Sequence, residues 1–476
     1  MAGIWRGFGL NIRLRFQNRL TGKTLFIQNR LTGKTLFFQN RLTRKTLFSQ
    51  NRLTGKTLFI QNRLTGETFL LLLHINLYNM ESLINKCRRL IAITKTDYVR
   101  EIVHNINWNC RLISIRGARG VGKTTLMLQY LKQHNIDYKT MLYVSLDSNY
   151  FTRNSLLDFA EQFYMQGGKH LFIDEVHKYP GWSKEIKEIY DSYPELKLVI
   201  SGSSLLDILN ADADLSRRCV PYEMQGLSYR EYLAMVHGIQ LPSITLDKLL
   251  SAPEEFCNIV NERCRPLAHF NSYLQQGYYP FILEGEQEYP LRIENVVNFI
   301  LEVELPQLCG VDIGNIRKLK SLLIILASKV PLQVDMTKIS AAAGLARTTL
   351  LSYLQILHRS RLLNLLFSGE DSVKKMQKPD KIYLENPNLI DVLSLTGGNT
   401  GTIRESFVVN QLAYQHLVEY TKAGDLIIDK TYTIEIGGKS KDGKQIANVP
   451  HSFIAADDTE YAFGNKIPLW AFGCLY

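Results

Sequence analysis

The eight residues Gly117-Ala-Arg-Gly-Val-Gly-Lys-Thr124 constrain this chain more than any other stretch of it. They satisfy G-x-x-x-x-G-K-[ST] at every fixed position. They also stand between a strand-like run, Arg111-Leu-Ile-Ser-Ile-Arg116, and a helix-like run, Thr125-Leu-Met-Leu-Gln-Tyr-Leu-Lys132, the context that gives the motif its weight. The glycines let the backbone curl so that consecutive N–H groups point inward at an anion. The helix that follows aims the positive end of its dipole at the same point. On this reading Gly117, Ala118, Arg119, Gly120, Val121, Gly122, Lys123, Thr124 and Thr125 cradle ATP. Lys123 reaches the β- and γ-phosphates, and the Thr124 hydroxyl is a ligand for Mg2+.

Such a loop needs a distal acid, and Lys169-His-Leu-Phe-Ile-Asp-Glu-Val-His-Lys178 supplies one at the end of a short apolar run. Asp174 is placed to hold the magnesium, and Glu175 to polarise the attacking water. A further strand-like run, Met141-Leu-Tyr-Val-Ser-Leu146, falls between the two motifs. That intervening strand, with a glutamate beside the acid, marks the additional-strand class of P-loop ATPases and disfavours small-molecule kinases. The next run, Leu196–Ile200, ends in Ser201-Gly-Ser-Ser204, where a hydroxyl can sense the γ-phosphate or orient water. Ser201 is the first choice and Ser203 the second, against ordinary turn serines. Arg218, following that strand, is either a solvated surface arginine or a catalytic one, acting in its own subunit or on a neighbour's nucleotide in an oligomer.

The formal charge of the 476-residue chain is +11, but it is not spread evenly. Residues 1–79 hold 13 Lys or Arg against one acid, Glu67, and the remainder holds 43 bases against 44 acids. A basic balance therefore does not mark the rest of the chain as a nucleic-acid binder. The basic stretch carries an eleven-residue repeat, QNRLTGKTLFI, starting at Gln17, Gln28, Gln39, Gln50 and, altered, at Gln61. Each unit has one apolar cluster and a Thr-Gly pair or a variant of it, which suits a helix poorly. We expect a leader that is disordered, or that precedes a true start at Met80. No apolar run reaches membrane-spanning length. Seven scattered cysteines without a C-x-x-C pair suggest free thiols in a reducing cytoplasm.

From Met80 onward the chain resembles the bacterial and archaeal AAA+-type ATPases with an accessory C-terminal domain. The resemblance rests on GARGVGKTT, LFIDEVHKYPGW, ISGSSLLDI, the arginine before LSYREYL, YLQQGYYP from Tyr273 to Pro280, and GNKIPLWAFGCLY. It implies an ATPase core over residues 80–225 and a helical lid over 226–330. Residues 331–395 read as a winged helix-turn-helix: a turn at Gly344 separates two helices, with Arg347, Thr348, Thr349 and Ser352 on the exposed side of the second. Lys374, Lys375, Lys378 and Lys381 would fall in its wing, facing DNA phosphates, or the module is a protein contact. Residues 396–476 resemble a PD-(D/E)xK nuclease-like α/β domain through Glu405, Asp425, Glu435 and Lys439. Two glycines before Lys439 depart from the E-x-K pattern, so a catalytically silent fold is expected. Three functions follow: an ATP-driven switch, an ATP-dependent nuclease, and an ATP-binding DNA regulator.

Overall fold

The structure, a computed structural model, describes residues 3–5, 12–14, 34–40, 45–51, 66–134, 137–203, 215, 217–328, 335–369, 378–395 and 397–476. Contacts divide the chain into Met1–Asn85 with Ser148–Ser155, and Lys86–Asp147 with Leu156–Tyr476. In the first unit β1 (Gly3–Trp5) pairs antiparallel with β2 (Ile12–Leu14), and β3 (Lys34–Asn40) with β4 (Lys45–Asn51). Equivalent segments of two successive repeats thus form one β-pair; most of the remaining repeat sequence lies outside the described residues. Helix α1 (Gly66–Ile93) begins ahead of Met80, so residue 80 is not an element boundary. No described helix is long and apolar enough to cross a membrane. All seven cysteines are free.

The first sheet of the second unit has five short strands. The short helix α2 (Ile102–Asn105) precedes β5 (Leu112–Arg116), and then α3 (Lys123–Gln133), β6 (Met141–Ser145), α4 (Leu156–Met165), β7 (His170–Asp174), α5 (Trp182–Ser192), β8 (Lys197–Ser201) and β9 (Val220–Glu223) follow. The order across the sheet is β6-β7-β8-β5-β9, every pair parallel. The middle strands are buried almost throughout, as continuous apolar runs require when helices cover both faces. Strand β8 separates β5 from β7. The phosphate-loop motif, Asp174 and Ser201 therefore meet at the C-terminal edge of the sheet, where such folds bind ligands.

The stretch expected as one lid, 226–330, is instead shared between two hydrophobic cores. Tyr229, Leu233, Leu249 and Phe270 pack with Phe407, Leu426, Ile434 and Trp470. Tyr278, Tyr289, Ile293 and Leu322 pack with Leu350, Leu354, Leu384 and Leu389. The division falls at Gly277, where a Cβ would collide with the Tyr273 ring.

The second core includes helices Met336–Ala343 and Arg347–Arg359, joined through Gly344 at φ 63°, followed by the antiparallel strands β10 (Leu363–Leu366) and β11 (Lys381–Leu384). Leu350, Leu354 and Leu357 are buried, whereas Arg347, Thr348 and Ser352 are exposed and Thr349 half-buried. Lys374 and Lys375 lie outside the described residues. Lys381 departs from expectation: its ammonium lies 2.9 Å from Glu405 and 3.3 Å from Asp425, so it is held by carboxylates and does not face solvent phosphates.

The C-terminal sheet runs β12 (Val418–Tyr420), β13 (Leu426–Ile428), β14 (Tyr432–Gly437), β15 (Ser452–Ala456) and β16 (Lys466–Pro468) in spatial as in chain order. The first two pairings are antiparallel and the last two parallel. Lys439, expected beside Glu435, is exposed, and Lys441 takes the position 2.8 Å from the Glu435 carboxylate. The cause is local: β14 ends at Gly437, and a turn from Gly438 to Lys441 carries Lys439 away and brings Lys441 back.

Where these parts meet the core, Glu385 is fully buried, accepting from Gln225 Nε2 at 3.1 Å and Asn410 Nδ2 at 3.3 Å, while its other oxygen has no hydrogen-bond partner. Burial pushes its carboxyl from the usual 4.5 up to about 7. A raised folded-state pKa stabilises fully below pH 4.5, and the contribution is lost as pH rises through about 7. The unfolding free energy should fall from pH 5 to pH 8, by up to about 3 kcal/mol from this group alone. In Glu385→Gln that slope should flatten; an unchanged pH profile would contradict the assignment.

Candidate nucleotide site

The loop between β5 and α3 is shaped by its glycines. Gly117 adopts φ 151° and a Cβ there would collide with the Met224 carbonyl oxygen just after β9, while Gly122, at φ 99°, is the N-cap of α3. Lys123, buried in the first turn of α3, donates to Gly117 O at 2.9 Å and Ala118 O at 2.8 Å. Burial lowers the pKa of its ammonium, and the nearby Glu175, Asp174, Glu304 and Glu223 carboxylates act the other way. Val121 is fully buried, and Thr125 is exposed.

A buried guanidinium fixes the back of the loop. Arg100 donates to Glu231 at 3.0 and 2.6 Å, to Gln225 O at 2.6 Å, to Gly226 O at 2.8 Å and to Val121 O at 3.3 Å. Glu231 also closes a capping box with Ser228 at the start of the Tyr229–His237 helix. Nothing in the local sequence around Arg100 signals this role, because all its partners lie at least 21 positions away.

Asp174, at the end of β7, collects the motifs. Its Oδ2 accepts from Thr124 Oγ1 at 2.6 Å and from Tyr143 O–H at 2.7 Å; its Oδ1 accepts from the Glu175 N–H at 3.0 Å and from the Ser201 hydroxyl. The adjacent hydroxyl and carboxylate of Thr124 and Asp174 are all-oxygen donors of the kind Mg2+ selects. When bound, that ion would neutralise phosphate charge. Among the described residues, no three acidic, His or Cys side chains converge to hold a metal. Ser201 is fully buried and turned onto Asp174, as a positioning hydroxyl. Ser203, the second choice, donates instead to Glu304 Oε2 at 3.1 Å.

Glu175 sits in the left-handed region, φ 55°, which a non-glycine residue adopts only at a conformational cost of about 1 kcal/mol or more. Its carboxyl pKa is raised, first by burial and then by Asp174. His177 Nε2 lies 3.2 Å from Glu175 Oε2, but burial lowers that imidazole to about 4, so the contact is not an ion pair near neutral pH. A carboxylate made more basic beside the acid is suited to accept a proton from water. Arg218 lies elsewhere. It precedes β9 and pairs with Asp191 at 2.9 Å, at the end of α5. Both belong to the N-terminal edge of the parallel sheet, so Arg218 does not reach the site of its own subunit.

Tyr143, Glu304 and Arg100 complete the surroundings without a signal in the sequence motifs, and His177 lies in the acid motif without a role assigned from it. Tyr143 had the most accessible signal, as a hydroxyl inside the run Met141–Ser145 that pairs with the acid strand.

Residues 109–233 match the family described as an AAA domain, and residues 267–398 match a domain of unknown function, DUF8612. The uncharacterized protein MJ1637 of Methanocaldococcus jannaschii is 24% identical over 290 residues, covering 57% of this chain and 60% of that protein. The uncharacterized protein MJ1544 of the same organism is 24% identical over 324 residues, 64% of this chain and 67% of that protein. The matched region thus spans about three fifths to two thirds of these relatives. Among solved structures, AMPPCP-bound DnaA from Aquifex aeolicus is matched over 54% of this chain and 84% of that one, at 17% identity and a TM-score of 0.24. C. elegans PCH-2 is matched over 33% and 45%, at 17% identity and a TM-score of 0.21. The AAA match covers the residues that form the parallel sheet β5–β9 and the loop between β5 and α3.

Proposed function

We propose that the chain is an AAA+-type ATPase that binds and hydrolyses MgATP and uses its nucleotide state to reposition its C-terminal half. The observation that carries this reading is the junction of Thr124 with Asp174 at 2.6 Å, with Lys123 and Glu175 each adjacent in sequence. Lys123 binds phosphate, Thr124 and Asp174 hold Mg2+, Ser201 positions Asp174, and Glu175 is the base. Arg218, at the opposite edge of the sheet, acts only on a neighbouring subunit's nucleotide, which requires an oligomer. The output is the helix-turn-helix with its β10–β11 hairpin, read as a winged helix that contacts DNA or a protein partner. Its exposed Arg347, Thr348 and Ser352 support that reading.

The C-terminal sheet is read as a nuclease-like fold without activity. Two ammonium groups, Lys381 on Glu405 and Asp425, and Lys441 on Glu435, neutralise the carboxylates a catalytic metal would need. The full chain should release phosphate from ATP only with Mg2+ present and should leave DNA uncut. Metal-dependent cutting that vanishes in Glu435→Ala would replace this reading by the nuclease one. ATP binding without phosphate release would favour an ATP-binding regulator.

A further inference from the structure

Glu304 reaches the nucleotide site from outside the β5–β9 domain. It ends the π-helical turn Ile300–Glu304 that joins helices Tyr289–Phe299 and Leu305–Cys309, and it is only 3% exposed. A π-turn within a helical run is a costly local geometry that recurs at functional positions. One carboxylate oxygen accepts from the Ser203 hydroxyl at 3.1 Å, and the other lies 3.4 Å from the Arg119 guanidinium of the phosphate loop. Arg119 in turn lies 3.7 Å from the centre of the Phe299 ring, one turn earlier on the same helical run. Lys178, just past Glu175, contacts that ring at 4.7 Å. The preceding segment also lies close: Phe281 is 3.0 Å from where a Cβ on Gly120 would stand.

A carboxylate so placed holds two donors beside Lys123, at a loop built for phosphate. We infer that Glu304 makes this site discriminate a nucleoside triphosphate from a diphosphate, because its carboxylate and a γ-phosphate compete for Arg119 and Ser203. The inference rests on the nucleotide reading given above. The β-phosphate is served by the loop amides and Lys123, so a diphosphate leaves Glu304 in place. A triphosphate brings a second anion against it, and like charges repel, most strongly beside a carboxylate that is itself buried. Binding of the triphosphate therefore releases Glu304, and with it the helical run from Tyr289 to Cys309 that packs in the second core.

The test is titration of ATP and ADP, with Mg2+, into the full chain, Glu304→Gln and Glu304→Asp. Glutamine keeps the shape and removes the charge, so ATP affinity should rise by about tenfold or more while ADP changes by less than about threefold. Aspartate keeps the charge and should leave ATP affinity closer to that of the unaltered chain. Equal changes for ATP and ADP in Glu304→Gln, or no change for either, would overturn the inference, as would an aspartate variant that behaves like glutamine. Failure of the unaltered chain to bind either nucleotide would overturn the nucleotide reading itself and this inference with it.

Discussion

Replacing Glu175 by glutamine is expected to lower ATP turnover by about 100-fold or more while leaving ATP binding within a few-fold of the unaltered protein. The amide has the shape of the carboxylate and keeps the αL backbone position, but it cannot take a proton from water. Asp174 remains held by Thr124, Tyr143 and Ser201, so the metal site and phosphate cradle persist. Burial and Asp174 raise the Glu175 pKa, which makes the ionised group a stronger base near neutrality. Single-turnover phosphate release beside equilibrium binding separates the two effects. Turnover equal to that of the unaltered protein would remove Glu175 from the mechanism, and loss of binding would make its role structural.

What was legible in the sequence was local. The phosphate loop and the acid are each a short run whose backbone geometry follows from its own glycines and flanks, and their meeting across β8 follows from the order of parallel strands. The two helices on either side of Gly344 follow for the same reason: Asp335 accepts from the N–H groups of Thr337 and Lys338, and Gly344 supplies the positive φ of the turn. Contacts between distant segments were not readable. Arg218 follows β8 in sequence, but it precedes β9 at the N-terminal edge of the sheet, away from the site. Glu304 and Arg119 are separated by 185 positions, and no spacing rule connects them. Lys439 lost its place to Lys441 through a turn at two glycines. Lys381, on a hairpin strand, was readable as a basic wing residue only because Glu405 and Asp425 are remote in sequence.

Nucleotide binding depends most on Lys123 gripping phosphate. Its ammonium is buried, held to the Gly117 and Ala118 carbonyls, and surrounded by carboxylates that favour its charge. Charge-assisted bonds contribute about 1.5–3 kcal/mol each, so losing those to two phosphates corresponds to a fall in affinity of about 100-fold or more. The direct measurement is a titration of MgATP into the unaltered protein and into Lys123→Ala, with unfolding midpoints compared to establish that both are folded. Binding to the first should be saturable, and affinity should fall by about 100-fold or more in the second. Equal affinity for the two folded proteins would contradict it.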